Sequence, residues 1–317
     1  MRVDVAISSF RKPESLIFTL MTLHRHCRDR IATVWIGDDR SDSRTLAMLH
    51  DPALQARLAP WKIELSVTRR HHGSGRTLVT ARMALGLLGL KLSLWHRLRS
   101  GWFLLRRGLV PAEDIRYERA LSRSTAPYVL LLHDDMEVRG DVAGLLLQQM
   151  QADDRLAIAG PLGQCWRCGW QAVCTPGMIL GGGRPGSGWP LTPPPPVLRP
   201  RRYDRACRIN EWCCMIRTGT ARALAASGIH FGNAEDGGDT GAYWFGAALA
   251  QGWQFTDPFQ GGGTAPWFIH GWQGHSGRSV WVDQGAGRNS YDAAQILARL
   301  AAEFGFTPLG AEPPPPR

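Results

Sequence analysis

Residues 129 to 138 read VLLLHDDMEV, an apolar run closed by His133, Asp134 and Asp135. Such a run is a buried strand, and it drives straight into two adjacent carboxylates. A carboxylate pair at a strand end is costly to desolvate unless a positive group meets it. The chain must therefore supply, or bind, a cation or a charged substrate at that point.

The same grammar recurs along the chain. VDVAISSF reads as a short strand and RKPESLIFTLMTLHRHC as the helix after it, with Pro13 in the first turn and Leu16, Ile17, Leu20, Met21 and Leu23 near one stripe. ATVWIGDDRSD is a second strand ending in acids, SRTLAMLHDPALQARL a second helical stretch, and WKIELSVTRR a third strand. DIRYERALSRS predicts a helix, LAIAGPLG a strand, EWCCMIRTGTARALAASG a strand and helix, TGAYWFGAALAQGW a helix, and YDAAQILARLAAEFG a last helix. Alternating strands and helices predict an α/β fold with a mixed, mostly parallel sheet flanked by helices. In such sheets ligands sit at the carboxyl ends of strands. Asp38-Asp39 and Asp134-Asp135 both stand there.

Composition narrows the setting. With 317 residues, 44% hydrophobic and 20% charged, the chain can bury a real core and is not disordered. The start lacks the apolar core and small-residue cleavage site of a signal peptide, and no uncharged apolar run reaches the length of a membrane helix. The expectation is a cytoplasmic protein, with a peripheral membrane position left open. Seven cysteines, an odd number without secretory context, point to thiols or metal ligands rather than a disulfide framework. The net charge of +10 comes almost wholly from one stretch: between Val67 and Arg123, twelve Lys or Arg face three acids. The part from Thr77 to Leu109 is rich in Leu and Arg and reads as amphipathic helix. Either it packs its Leu face on the core, or it presents a cationic surface to a polyanion or an anionic membrane.

The order of VDVAISSFRKPESLIFTLMTL, VWIGDDRSD, RYERALSRSTAPYVLLLHDDMEV and AGPLG resembles the family 2 glycosyltransferases of the GT-A (Rossmann-like) fold. The similarity runs from about Val3 to Gly163 and resumes from Glu211 to Gly252. It implies one domain over 1–310, with a nucleotide-sugar half at 1–163 carrying a basic helical insertion at about 71–112. An acceptor half rich in Cys and Trp would follow at 164–310, and then a Pro-rich tail at 311–317. It also implies transfer of a sugar, with inversion, from a nucleotide-diphosphate donor to a hydroxyl of a glycan or lipid-linked acceptor.

Carried over by position, the resemblance places Ser8, Ser9 and Phe10 at the nucleotide, Asp39 and Asp38 at its base or ribose, and Asp134 at the donor. The family's acidic metal motif falls on His133, Asp134 and Asp135, with His133 and Asp135 as the metal ligands and Asp135 the best single one. The family usually has Asp where His133 stands, and imidazole is a softer ligand, which leans towards manganese over magnesium. A divalent cation there would neutralise the leaving diphosphate. The base that takes the acceptor proton would be Asp239, in GGDT, with Asp236 the alternative; the Glu that normally precedes it is missing. His275, or His270, would complete the metal or diphosphate site, although either could be an ordinary core histidine. Glu211, Trp212 and Trp244 fall where the acceptor should lie, though most of the thirteen Trp should be core or interface. Apart from the resemblance, Cys165, Cys168, Cys174 and Cys207 could hold a structural zinc, or be reduced core thiols like Cys214.

Other functions fit less of the chain. A sugar-phosphate nucleotidyltransferase would want a Gly-rich loop after the first strand, and ISSFRKPES has no Gly. A glycosyltransferase acting on modified bases of DNA would use the basic segment on phosphates. A degenerate, non-catalytic fold binding nucleic acid would keep the charge and lose the chemistry.

Overall fold

The computed structural model describes residues 1–72, 78–81, 98, 101–102, 105, 108–162, 209–234, 240–272 and 291–311. Among them the strands are β1 (Val3–Ser9), β2 (Ile31–Asp38), β3 (Lys62–Val67), β4 (Tyr128–His133), β5 (Met136–Val138), β6 (Leu156–Ala159), β7 (Cys213–Arg217), β8 (Gln254–Thr256) and β9 (Phe268–His270). The helices are α1 (Pro13–Cys27), α2 (Ser43–Leu49), α3 (Pro52–Arg57), α4 (Glu118–Arg123), α5 (Val142–Ala152), α6 (Thr218–Ala225), α7 (Ala242–Ala250) and α8 (Ala293–Phe304). Helices flank a mixed, mostly parallel sheet of seven strands in the order β3-β2-β1-β4-β7-β6-β8. The fold class is therefore the one the sequence predicts.

The chain divides into two compact units. One comprises Met1–His71, Leu132–Gly144 and Thr264–Arg317, the other His72–Leu131 and Leu145–Gly263. The division cuts across the stretches 1–163 and 164–310.

In the first unit β2 lies parallel to both β1 and β3, with Ile7 opposite Ile36 and Ser9 opposite Asp38. The alternation of Val3, Val5 and Ile7 is buried, as are Leu16, Ile17, Leu20 and Leu23 of α1. Pro13 opens that helix, where its missing N–H is no loss, and Glu14 and Arg25 sit at the ends that suit their charges. The single helix expected over SRTLAMLHDPALQARL is two. Pro52 cannot donate to a preceding turn, so α2 stops before it and α3 starts on it. Each start is capped by an aspartate, Asp42 accepting from Thr45 N at 2.9 Å and Asp51 from Ala53 N at 2.8 Å. At the far end of the unit, Asp292 caps α8 and Gly305, with φ of 58°, closes it in the left-handed conformation.

Two threonines of α1 reach a strand. Thr19 Oγ1 donates to the Met136 carbonyl at 2.8 Å and accepts the Met136 N–H at 3.0 Å, and Thr22 Oγ1 accepts from Val138 N at 3.2 Å. They satisfy one edge of β5. Its other edge pairs antiparallel with β9, Met136 opposite His270. Neither short strand is long enough to show a period in sequence, and neither they nor β8 and α5 were expected.

In the second unit β6 pairs antiparallel with β7 and parallel with β8. Arg217 bonds the carbonyls of Met150, Asp153 and Leu156. Glu118 is buried, with Oε1 accepting the Phe231 N–H at 2.8 Å and Oε2 lying 3.0 Å from His230 Nδ1. Gly232 passes so close to the Arg116 carbonyl that a Cβ would collide with it at 1.8 Å. Trp244, expected at the acceptor, is buried edge-on against Phe231 with centroids 5.3 Å apart, the packing of a core residue. Cys213 and Cys214 are buried in β7. The basic insertion is described only in part, with Leu98, Gly101, Trp102 and Leu105 helical.

Candidate active site

The site belongs to the first unit and is made where strands end. His133 is the last residue of β4, and Asp134 and Asp135 form the turn into β5. Because Thr19 and Thr22 pin β5 and β9 pairs with it, His270 is carried to the same place, and the Gly271 N–H bonds the Asp135 carbonyl at 2.9 Å. A histidine 135 residues downstream is thus fixed beside Asp135 by backbone pairing.

The two oxygens of Asp135 face different partners. Oδ2 accepts from Lys12 Nζ at 2.6 Å, and Lys12 also reaches Asp134 Oδ1 at 3.3 Å. Oδ1 lies 2.7 Å from His270 Nε2 and 3.8 Å from His133 Nδ1. That oxygen is buried, yet no hydrogen bond among the described residues is aligned on it. The two imidazoles meet edge to face, centroids 5.5 Å apart. Burial alone would raise the Asp135 carboxyl; the Lys12 ammonium, then His270 and His133, outweigh it and hold the group well below the usual carboxylate range. Asp134, equally buried, is raised: desolvation leads and the Asp135 charge adds, against Lys12 and the Phe10 N–H. Desolvation pulls the Lys12 ammonium down, but the two carboxylates win and raise it.

One carboxylate oxygen and one nitrogen from each of His133 and His270 lie within 4.8 Å of one another. Ligand atoms around an ion bonded at about 2.0–2.2 Å are at most about 4.4 Å apart, so a small closure suffices. A buried acceptor with no aligned donor, flanked by two ring nitrogens, fits a divalent cation, and the mixed N and O set suits manganese or zinc better than magnesium or calcium. The sequence named all three residues.

A second cluster lies at the ends of β1, β2 and β3. Asp38 is fully buried, its two oxygens accepting from Ser41 N at 2.7 Å and Ser41 Oγ at 2.6 Å. It holds the turn after β2 and does not face outward. Asp39 does, with Oδ2 2.9 Å from His71 Nδ1 and Oδ1 accepting from Thr68 at 3.2 Å. His71 stacks on Phe10, centroids 4.3 Å apart at 24°. Arg11 and Arg40, with φ of 54° and 61°, are left-handed non-glycine residues at the ends of β1 and β2. Such strain persists where the surroundings over-determine the backbone, and it gathers at functional sites. Ser8 is half-buried; Ser9 is buried, its hydroxyl without a partner among the described residues.

Sequence reasoning missed Lys12 and His71. The signal for Lys12 was a cation in the loop after β1, facing the strand end that demanded one; for His71 it was an imidazole just past β3. Asp236, Asp239, His275, Cys165, Cys168, Cys174 and Cys207 lie outside the described residues. Glu211, buried, and Trp212, half-buried, belong to the second unit.

No family model and no curated protein matches the chain. Among solved structures it is similar to a mannosyltransferase from Pyrobaculum calidifontis in complex with GDP-Man and Mn2+, at 13% identity and a TM-score of 0.48, covering 98% of this chain and 66% of that one. The chain thus spans just under two thirds of that protein. Mouse xyloside xylosyltransferase 1, apo form, gives 11% and 0.37, covering 81% of this chain and 85% of that one. Core-mannan synthase A from Aspergillus fumigatus, in a Mn/GDP form, gives 13% and 0.40, covering 85% and 75%.

Proposed function

We propose that the chain is a metal-dependent, inverting glycosyltransferase of the GT-A type, moving a sugar from a nucleotide-diphosphate donor to an acceptor hydroxyl. The observation that carries this reading is the buried Asp135 oxygen facing His133 and His270 at the carboxyl end of β4. A Mn2+ held by these three residues would act as a Lewis acid on the departing diphosphate. Asp39, with His71 and Phe10 beside it, presents polar and aromatic surface for the nucleoside, and Ser8 and Ser9 line the same strand end. Asp239, or Asp236, accepts the proton of the acceptor hydroxyl as its oxygen bonds to the anomeric carbon and the carbon–oxygen bond to diphosphate breaks. Glu211 and Trp212 are the acceptor-side candidates. Independently of that reading, a structural zinc on Cys165, Cys168, Cys174 and Cys207 would appear as one zinc per purified chain, and reduced core thiols as none.

The test is a thermal-shift panel of nucleoside diphosphates and their sugars, with and without Mn2+, on the full chain and on Asp135→Ala. Stabilisation by one nucleotide only with metal, lost in the variant, is expected, at about 2.7 kcal/mol for ligand at a hundredfold its Kd. No stabilisation by any nucleotide under any metal would overturn the reading.

For the acceptor we propose a partner at an anionic lipid surface. Among the described residues no helix is long and apolar enough to cross a membrane. Yet Leu98, Trp102 and Leu105, at helical spacing, are 60%, 51% and 89% exposed, within sequence that also holds Arg97, Arg99, Arg106 and Arg107. Apolar side chains interleaved with arginine suit the headgroup region; phosphates of duplex DNA would use the charge and leave the apolar side chains wet. Sedimentation with phosphatidylserine vesicles but not with duplex DNA is expected. The reverse result would favour an enzyme on DNA bases, or a non-catalytic DNA-binding protein if no donor is turned over.

A further inference from the structure

Resting on the proposed cation and nucleotide reading, we infer that Lys12 is a built-in counter-cation that makes the metal and the nucleoside diphosphate bind as one unit. Its ammonium bridges the two carboxylates at 2.6 and 3.3 Å and is largely buried, with 13% of the side chain exposed. It takes the Asp135 oxygen that the imidazoles do not face. A metal on the His133–His270 side therefore need not displace it; the two cations share one carboxylate.

Charge counting gives the consequence. Two carboxylates and one ammonium leave a single net negative charge beside imidazoles that must be neutral to coordinate. A divalent ion turns that into a net positive charge, with ion and ammonium repelling across one carboxylate in a poorly screened place. A metal alone is held weakly. A diphosphate brings at least two negative charges and relieves the repulsion, so each ligand tightens the other by the same factor. The backbone that carries Lys12 is fixed: Pro13 follows it, and its carbonyl accepts from Leu16 N at 3.0 Å and from Ser15 Oγ at 3.3 Å. Lys12 is a positioning residue on this account, since it acts through Asp134 and Asp135.

The simpler alternative is that Lys12 only compensates two buried acids. Both accounts predict a less stable Lys12→Gln, so stability does not separate them. Coupling does. Mn2+ binding to the full chain is followed by electron paramagnetic resonance, alone and with each common nucleoside diphosphate, for wild type, Lys12→Gln and Asp135→Ala. In wild type one nucleotide should tighten Mn2+ by about tenfold or more, within the usual range of coupling between sites. In Lys12→Gln, Mn2+ alone should bind about tenfold tighter and the nucleotide effect should shrink to about threefold or less. Should Lys12→Gln not fold, Lys12→Met is the second neutral variant. Equal coupling in wild type and the neutral variant overturns the inference and leaves the proposed function standing. If wild type binds no Mn2+ with any nucleotide, or binds it as Asp135→Ala does, the proposed function itself falls and the inference falls with it.

Discussion

Asp38 and Asp39 are neighbours in the chain with opposite surroundings, and each should respond to substitution in its own way. Burial raises the Asp38 carboxyl above its ordinary 3.8, against the Ser41 bonds and with the charges of Asp39 and Asp42 adding. The folded chain holds that proton more tightly than the unfolded chain does. Stability from this group is therefore present below 3.8 and lost as pH rises through the folded value. Asp38→Asn keeps an acceptor for the Ser41 N–H and removes the ionisation. Its stability relative to wild type should improve as pH climbs from about 4 to 7, read from urea melts across that range. Asp39 is partly exposed and bonded to Thr68 and His71. Asp39→Ala should change stability by under about 1 kcal/mol while weakening the nucleotide about tenfold by calorimetry, the worth of a charged hydrogen bond. An Asp39→Ala variant that binds nucleotide like wild type would remove this residue from the nucleoside site.

At the scale of elements, the short β5–β9 ribbon depends on α8. Arg299 of that helix donates to Glu137 of β5 at 2.7 Å and lies 4.4 Å over Phe18 and 5.6 Å from the centre of Trp272. Arg139 adds a second bond to Glu137 at 3.1 Å. Arg299→Ala should cost about 2–3 kcal/mol from the lost charge-assisted bond and cation–π contact together, and Arg299→Lys should recover less than half of it. Burial would raise the Glu137 carboxyl, but Arg299 and Arg139 outweigh it and lower it from 4.5. Its stabilisation is complete above 4.5 and is lost as pH falls through the folded value, so Glu137→Gln should flatten the acid limb of the stability curve. A denaturant series from about pH 6 down to 3 checks both. β1, α1, β2 and α8 were legible because each carries a long, regular pattern of apolar residues with its own start and stop signals. β5 and β9 were not, because three residues carry no period and their pairing joins positions 130 to 134 apart in sequence. That pairing is what brings His270 to Asp135; local sequence could only rank His270 beside His275. Lys12 escaped for the same reason: its worth lies in carboxylates about 120 residues away. That the end of β4 demands a positive partner was legible because two acids, Asp134 and Asp135, after an apolar run need explaining on chemical grounds; the metal role of His133 and Asp135 came from the resemblance.

For the whole molecule, the proposed metal and nucleoside residues lie in the first unit, and Leu98, Trp102 and Leu105 of the proposed surface in the second. The chain's charge of +10 would draw it to any polyanion through space, with an attraction that fades as salt rises. Exposed apolar side chains add something that salt does not screen. Leu105, 89% exposed, has nearly all of its side chain to bury. Full burial of a leucine is worth about 1.5–3 kcal/mol, so Leu105→Ser should weaken binding to phosphatidylserine vesicles by about tenfold or more, and most visibly at high salt, where the arginines contribute least. Trp102→Ser should add to the loss, since indole favours the headgroup region. Neither change should alter Mn2+-dependent nucleotide stabilisation, because neither residue belongs to the unit that holds the site. Vesicle sedimentation in low and high salt, beside the thermal-shift panel on the same variants, reads both. Unchanged vesicle binding in Leu105→Ser would reduce the interaction to charge alone and reopen DNA as its partner.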